Sequence, residues 1–91
     1  MKSKQDPKVQ FGQRLRKLRQ AAGFSQEALA YAAELDRSYV GGVERGEYNI
    51  SLLNICALAR ALEQSPHELL RLTEDAAPTP ARKKANAKSK A

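Results

Sequence analysis

The chain has one cysteine, Cys56, one histidine, His67, and no tryptophan. A single thiol cannot close an internal disulfide, so the composition fits a reducing compartment. A lone imidazole and a lone thiol on separate segments supply neither a nucleophile–base pair nor a metal-ligand cluster. No catalytic residue, metal site or cofactor is expected. Five glycines are spread through 91 residues, and none builds a phosphate-cradling loop. No unbroken apolar run approaches membrane-spanning length, and the polar N-terminus MKSKQDPKVQ has no apolar centre of the kind a secretory signal needs. These absences predict a cytoplasmic protein with no membrane role and no small-molecule effector domain.

What remains is enough for one domain. A hydrophobic content of 42% with only 5% aromatic suits a small helical core of Leu, Val and Ala. The formal net charge is +6, yet the span from Val9 to Asp75 holds eight basic and nine acidic residues. The positive excess therefore sits on the flanks, and the centre is close to neutral.

Along the chain, residues 1–7 read as a flexible arm, residues 8–73 as the folded domain and residues 74–91 as a basic disordered tail. The first helix spans Lys8 to Ala22, with Phe11, Leu15, Leu18 and Ala22 as its apolar stripe and Gly23 as its stop. Ser51 caps a fourth helix to about Glu63, with Leu52, Ile55, Leu58, Ala59 and Leu62 facing the core. Ser65-Pro66-His67-Glu68 has the spacing of a capping box and starts a fifth, short helix through Leu72. The fold class is all-α, a compact five-helix domain.

The most informative stretch lies between these helices, from Ser25 to Gly46. Ser25 caps one helix, with Phe24 and Leu29 in staple positions; Asp36 caps the next, with Leu35 and Val40 in the same relation. Only Glu34 and Leu35 are left for the turn. So short a connection between two capped helices forces a steep crossing, which is the layout of a helix-turn-helix over about 25–45. The second of these helices, 36–45, would offer Arg37, Ser38, Gly41 and Gly42 to solvent, a small, donor-rich face without an acid. An ordinary helical hairpin is the plainer alternative. It has no need of two glycines in an exposed helix face, where each costs about 1 kcal/mol relative to alanine.

Arg19, Gly23, Ser25-Gln26, Leu29-Ala30, Glu44-Arg45-Gly46 and Leu58-Ala59-Arg60-Ala61-Leu62 together resemble the lambda-repressor-like, Xre/Cro-type helix-turn-helix regulators over about Phe11 to Leu70. Glycine is usual in that family at the inter-helix turn, where this chain has Glu34. The resemblance implies a DNA-binding fold with the second helix in the major groove. It places Gly41 and Gly42 toward the groove, gives Gln26 a backbone phosphate and a bracing role, and pairs Arg19 with Glu44 inside the domain.

In such a helix the first turn reaches base edges, which makes Arg37 and Ser38 the base-contact candidates; arginine can bond guanine O6 and N7 together. Their plainer role is to solvate a helix start. Tyr39, Arg45, Tyr48 and Asn49 join Gln26 as phosphate-contact candidates, although the Tyr39 ring could equally pack on the first helix. Leu53 and Cys56 fall beside the core stripe of the fourth helix and are candidates for a homodimer interface. The expected function is sequence-specific binding of a roughly palindromic duplex by a homodimeric transcriptional regulator, a phage-type repressor, a controller protein or an antitoxin. The alternative is a module whose main partner is a protein.

Overall fold

The computed structural model describes residues 6–72. Its described residues form α1 (Pro7–Ala21), α2 (Gln26–Ala33), α3 (Arg37–Glu44), α4 (Leu52–Ala61) and α5 (Pro66–Leu69), with no strand among them. The basic tail 74–91 and the first five residues of the expected arm lie outside the described residues. Asp6 and Pro7 are not part of an arm. Pro7 opens α1, where a missing N–H is no loss, and the Asp6 carboxylate accepts from the Lys8 N–H at 2.9 Å.

Two of the four serine or aspartate caps read from the sequence form as hydrogen bonds. The Ser25 hydroxyl accepts from Ala28 N–H (2.9 Å) and the Ser51 hydroxyl from Asn54 N–H (3.1 Å). Behind each cap the staple residues, Phe24 with Leu29 and Ile50 with Ile55, lie in or against the core. Asp36 precedes α3 but bonds no helix N–H; its carboxylate instead accepts from the Ser38 hydroxyl at 3.4 Å. Nor does Ser65 make a capping bond. The carboxylate of Glu68, expected to complete that box, faces the Arg14 and Arg71 guanidinium groups at 3.0 and 3.2 Å, and α5 ends at Leu69 rather than Leu72.

The core takes at least one fully buried side chain from every helix: Leu15, Leu29, Val40 with Val43, Leu58 and Leu69. Each such burial is worth about 1.5–3 kcal/mol, so the core, rather than the short helices themselves, holds the domain together. Two expected core residues are exposed. Ala22 is the C-cap of α1, past the last turn, and Phe24 packs against the core in its place. Leu52 is 69% exposed because Ile50 already occupies the core edge, leaving the first turn of α4 beyond it.

Two backbone features position α3. Glu34 adopts the left-handed conformation (φ 62°, ψ 41°), and Leu35 N–H then closes on the Ala30 carbonyl at 2.8 Å. For a residue with a Cβ that conformation costs about 1–2 kcal/mol, offset here by the burial of Leu35 against the core. On the other side of α3, Gly12 lets α1 approach at backbone contact. A Cβ at this position would overlap the carbonyl oxygens of Val43 and Glu44.

Candidate nucleic-acid interface

The rear of α3 is fixed by a buried charge network. Arg19 Nε donates to Glu44 Oε2 (2.6 Å) and Arg19 Nη2 to Glu44 Oε1 (3.0 Å), a fork-to-fork geometry, while Nη1 donates to the Phe24 carbonyl (2.9 Å). The side chains of the pair are only 10% and 4% exposed. Hydrogen bonding to Glu44 raises the Arg19 guanidinium above its ordinary value, against a burial that works the other way. Gln26 joins the same carboxylate, its Nε2 donating to Glu44 Oε1 at 2.9 Å. One carboxylate at the end of α3 thereby ties down α1 and the first turn of α2, while Arg19 holds the Phe24 carbonyl.

On the outer side, Arg37 and Ser38 stand exposed in the first turn of α3. Arg37 makes no hydrogen bond or ion pair among the described residues, so its five N–H donors are available to a ligand. Gly41 and Gly42 are not open to solvent as expected: both are buried. The Arg45 guanidinium and the Gln26 amide lie over Gly41, and the Tyr48 ring occupies the space where a Gly42 side chain would project. These glycines therefore act as seats for neighbouring side chains.

Tyr39 stacks on Tyr48, with ring centroids 5.1 Å apart and planes inclined by 29°, and packs against the core. Its hydroxyl accepts from Asn54 Nδ2 at 3.1 Å, which leaves the hydroxyl proton free to point elsewhere. Asn49 is exposed in the loop after α3. Arg45 is exposed too but is paired: its Nε donates to Glu47 Oε2 at 2.8 Å. Glu47 is an acid at the edge of a face expected to have none. The signal was hidden because residues 45 and 47 straddle Gly46, whose positive φ of 82° turns the chain back, outside any helical spacing rule. Asn54 and Gly12 were likewise missed, since each is defined by a partner far along the chain.

On α4, Leu53 is 81% exposed next to exposed Leu52, with Cys56 half-buried one turn on. That apolar edge has no cover among the described residues. No helix among them is long and apolar enough to cross a membrane, and no group of three or more His, Cys, Asp or Glu side chains could hold a metal ion.

Two short helices packed together across a tight left-handed turn, the second presenting a braced, donor-bearing first turn, define a helix-turn-helix domain. The sequence pattern described as helix-turn-helix domain matches residues 10–72. Over 64 residues the chain is 42% identical to Control protein C.BamHI of Bacillus amyloliquefaciens, covering 69% of this chain and 79% of that protein. The crystal structure of the restriction-modification controller protein C.AhdI from Aeromonas hydrophila matches with a TM-score of 0.67 and 64% identity, over 68% of this chain and 94% of that one. That of the hypothetical transcription factor NHTF from Neisseria matches with a TM-score of 0.70 and 36% identity, over 93% and 91%. The chain belongs to the Xre-type helix-turn-helix regulator family.

Proposed function

We propose that this chain is a homodimeric, sequence-specific DNA-binding transcription regulator of the controller-protein kind, working in the cytoplasm without catalysis. The observation that carries the reading is the exposed Arg37, without a partner among the described residues, on a helix whose far end is locked by the Arg19–Glu44–Gln26 network. A rigid helix start with free donors is what major-groove reading needs. Arg37 and Ser38 contact base edges; Gln26, Tyr39, Arg45, Tyr48 and Asn49 flank them and contact backbone phosphates. Leu52, Leu53 and Cys56 on α4 supply the apolar edge that a two-fold partner covers, so that two copies of α3 meet two half-sites.

Selection of bound fragments from random duplex DNA, with sedimentation of the same preparation at micromolar concentration, tests this directly. The expected result is a dimer that enriches a site with two-fold symmetry. A monomer that enriches no site, recovered from its host with a stoichiometric protein, would instead establish the protein-binding alternative.

A further inference from the structure

Arg45 and Glu47 form a two-point pair on the open surface: Nε to Oε2 at 2.8 Å and Nη2 to Oε1 at 3.3 Å, with side chains 62% and 51% exposed. The pair lies along the outer edge of α3, bedded on its glycines. Arg45 Nη1 is 3.2 Å from the position a Cβ would take on Gly41, and Glu47 Oε1 is 3.3 Å from that of Gly42. Nothing about packing asks for a carboxylate here, because the Arg19–Glu44 network and the core already hold α3.

We propose that Glu47 is a specificity-determining residue: it holds Arg45 in a charge-neutral pair, a clamp that competes with a DNA phosphate for the guanidinium. This rests on the reading of α3 as the DNA-facing helix. Arg37 and Arg45 are the two arginines of that helix and its C-cap, so the clamp withholds half of their positive charge from an approaching duplex. Backbone phosphates are alike in every sequence, and a free Arg45 would strengthen all complexes equally. With the clamp closed, a duplex that gives Arg37 no base to bond meets a nearly neutral edge and leaves. At a matched site the base contacts hold a phosphate beside Arg45 long enough for it to replace Glu47. The hydrogen bond from Arg45 lowers the Glu47 carboxyl from its ordinary value, in keeping with an ionised pair.

The test uses the full-length chain with E47Q, R45A and the double variant. Binding is measured at several salt concentrations, both to the duplex most enriched by the wild type and to a scrambled duplex. E47Q should tighten binding to the scrambled duplex and steepen its salt slope by about 0.9 per half-site, roughly 3-fold to 4-fold over a fourfold change in salt. Preference for the enriched duplex should fall, and the thermal midpoint should not move. In the R45A background E47Q should change nothing. Weaker binding by E47Q would show that Glu47 positions Arg45 rather than withholds it, and a gain that survives in R45A would reduce Glu47 to general repulsion; either overturns the clamp. An unchanged E47Q beside a weakened R45A overturns the clamp and leaves the DNA reading standing. Failure of the wild type to enrich any duplex sinks both.

Discussion

Glu44→Ala probes how α3 is held, and the structure sets the size of the effect. The substitution removes both acceptors of the Arg19 fork and the acceptor of Gln26, leaving a guanidinium side chain that is 10% exposed with only the Phe24 carbonyl as partner. Orphaning one member of a buried pair costs about 3–5 kcal/mol, because the remaining charge keeps its desolvation penalty and loses its compensation. At about 0.05–0.15 kcal/mol per residue, a domain of this size has roughly 3–10 kcal/mol of total stability. The variant should therefore lose between a third and all of it. With about 4–8 °C per kcal/mol, the midpoint should fall by at least about 12 °C. Urea unfolding followed by circular dichroism reads the loss directly.

The same measurement carries its own control. Replacing both partners with apolar residues, Arg19→Met with Glu44→Leu, should restore most of the stability, since the cost lies in the unpaired charge rather than in the absence of the pair. That double variant should still bind DNA poorly, because Gln26 has lost its anchor on α3. A Glu44→Ala loss below about 1 kcal/mol, the range of exposed pairs, would refute the claim that this network is buried and structural.

Gly12→Ala should destabilise by about 3 kcal/mol or prevent folding, since the new methyl meets backbone carbonyls of α3 that cannot rotate away; chemical denaturation checks it. Glu34→Gly should raise stability by about 0.5–1 kcal/mol by relieving the left-handed strain, partly offset by glycine's unfolded-state entropy, and a thermal melt that falls instead would contradict that account. Arg37→Ala should leave the melt unchanged while relaxing preference at one base pair per half-site, at a cost of about 1–3 kcal/mol each. Binding assays against every single-base variant of the site decide it, and a uniform loss would move Arg37 to a phosphate role.

What could be read from the sequence was local and periodic. The Ser25 and Ser51 caps, their staples and the apolar stripes lie within one or two turns of the residues that complete them, so spacing alone identifies both members. Glu34 stood out only through the resemblance, in whose turn glycine is usual, and its φ of 62° gives the physical reason for that preference. Apart from the Asp36–Ser38 and Arg45–Glu47 contacts, which join residues two apart across a helix end, reading failed where a residue's partner sits elsewhere in the chain. Ser65 and Glu68 have the spacing of a capping box, but Arg14, 54 positions from Glu68, takes the carboxylate. Gly41 and Gly42 lie on the outward face by helical phase, yet Tyr48, Arg45 and Gln26 come from the following loop and from α2 to cover them.

That covering of the glycines has a consequence for dimerisation. In the proposed interface, with Gly41 and Gly42 occupied by neighbouring side chains, direct reading by α3 would narrow to Arg37 and Ser38, a stretch too short to single out one site alone. A bidentate arginine contact discriminates by about 1–3 kcal/mol, roughly 5-fold to 150-fold, for one half-site. Two half-sites bound together add these energies, and the discrimination is squared. Sequence preference should thus depend on the α4 edge as strongly as on α3 itself. Leu53→Lys places a charge on a side chain now 81% exposed, so the isolated domain keeps its stability, while a two-fold contact through that edge would bury the charge. The variant should sediment as a monomer with an unchanged melt. Its preference for the enriched duplex over a scrambled one should drop to about the square root of the wild-type ratio. A monomeric variant that kept the full ratio would mean that one copy of α3 reads more of the site than Arg37 and Ser38 can reach.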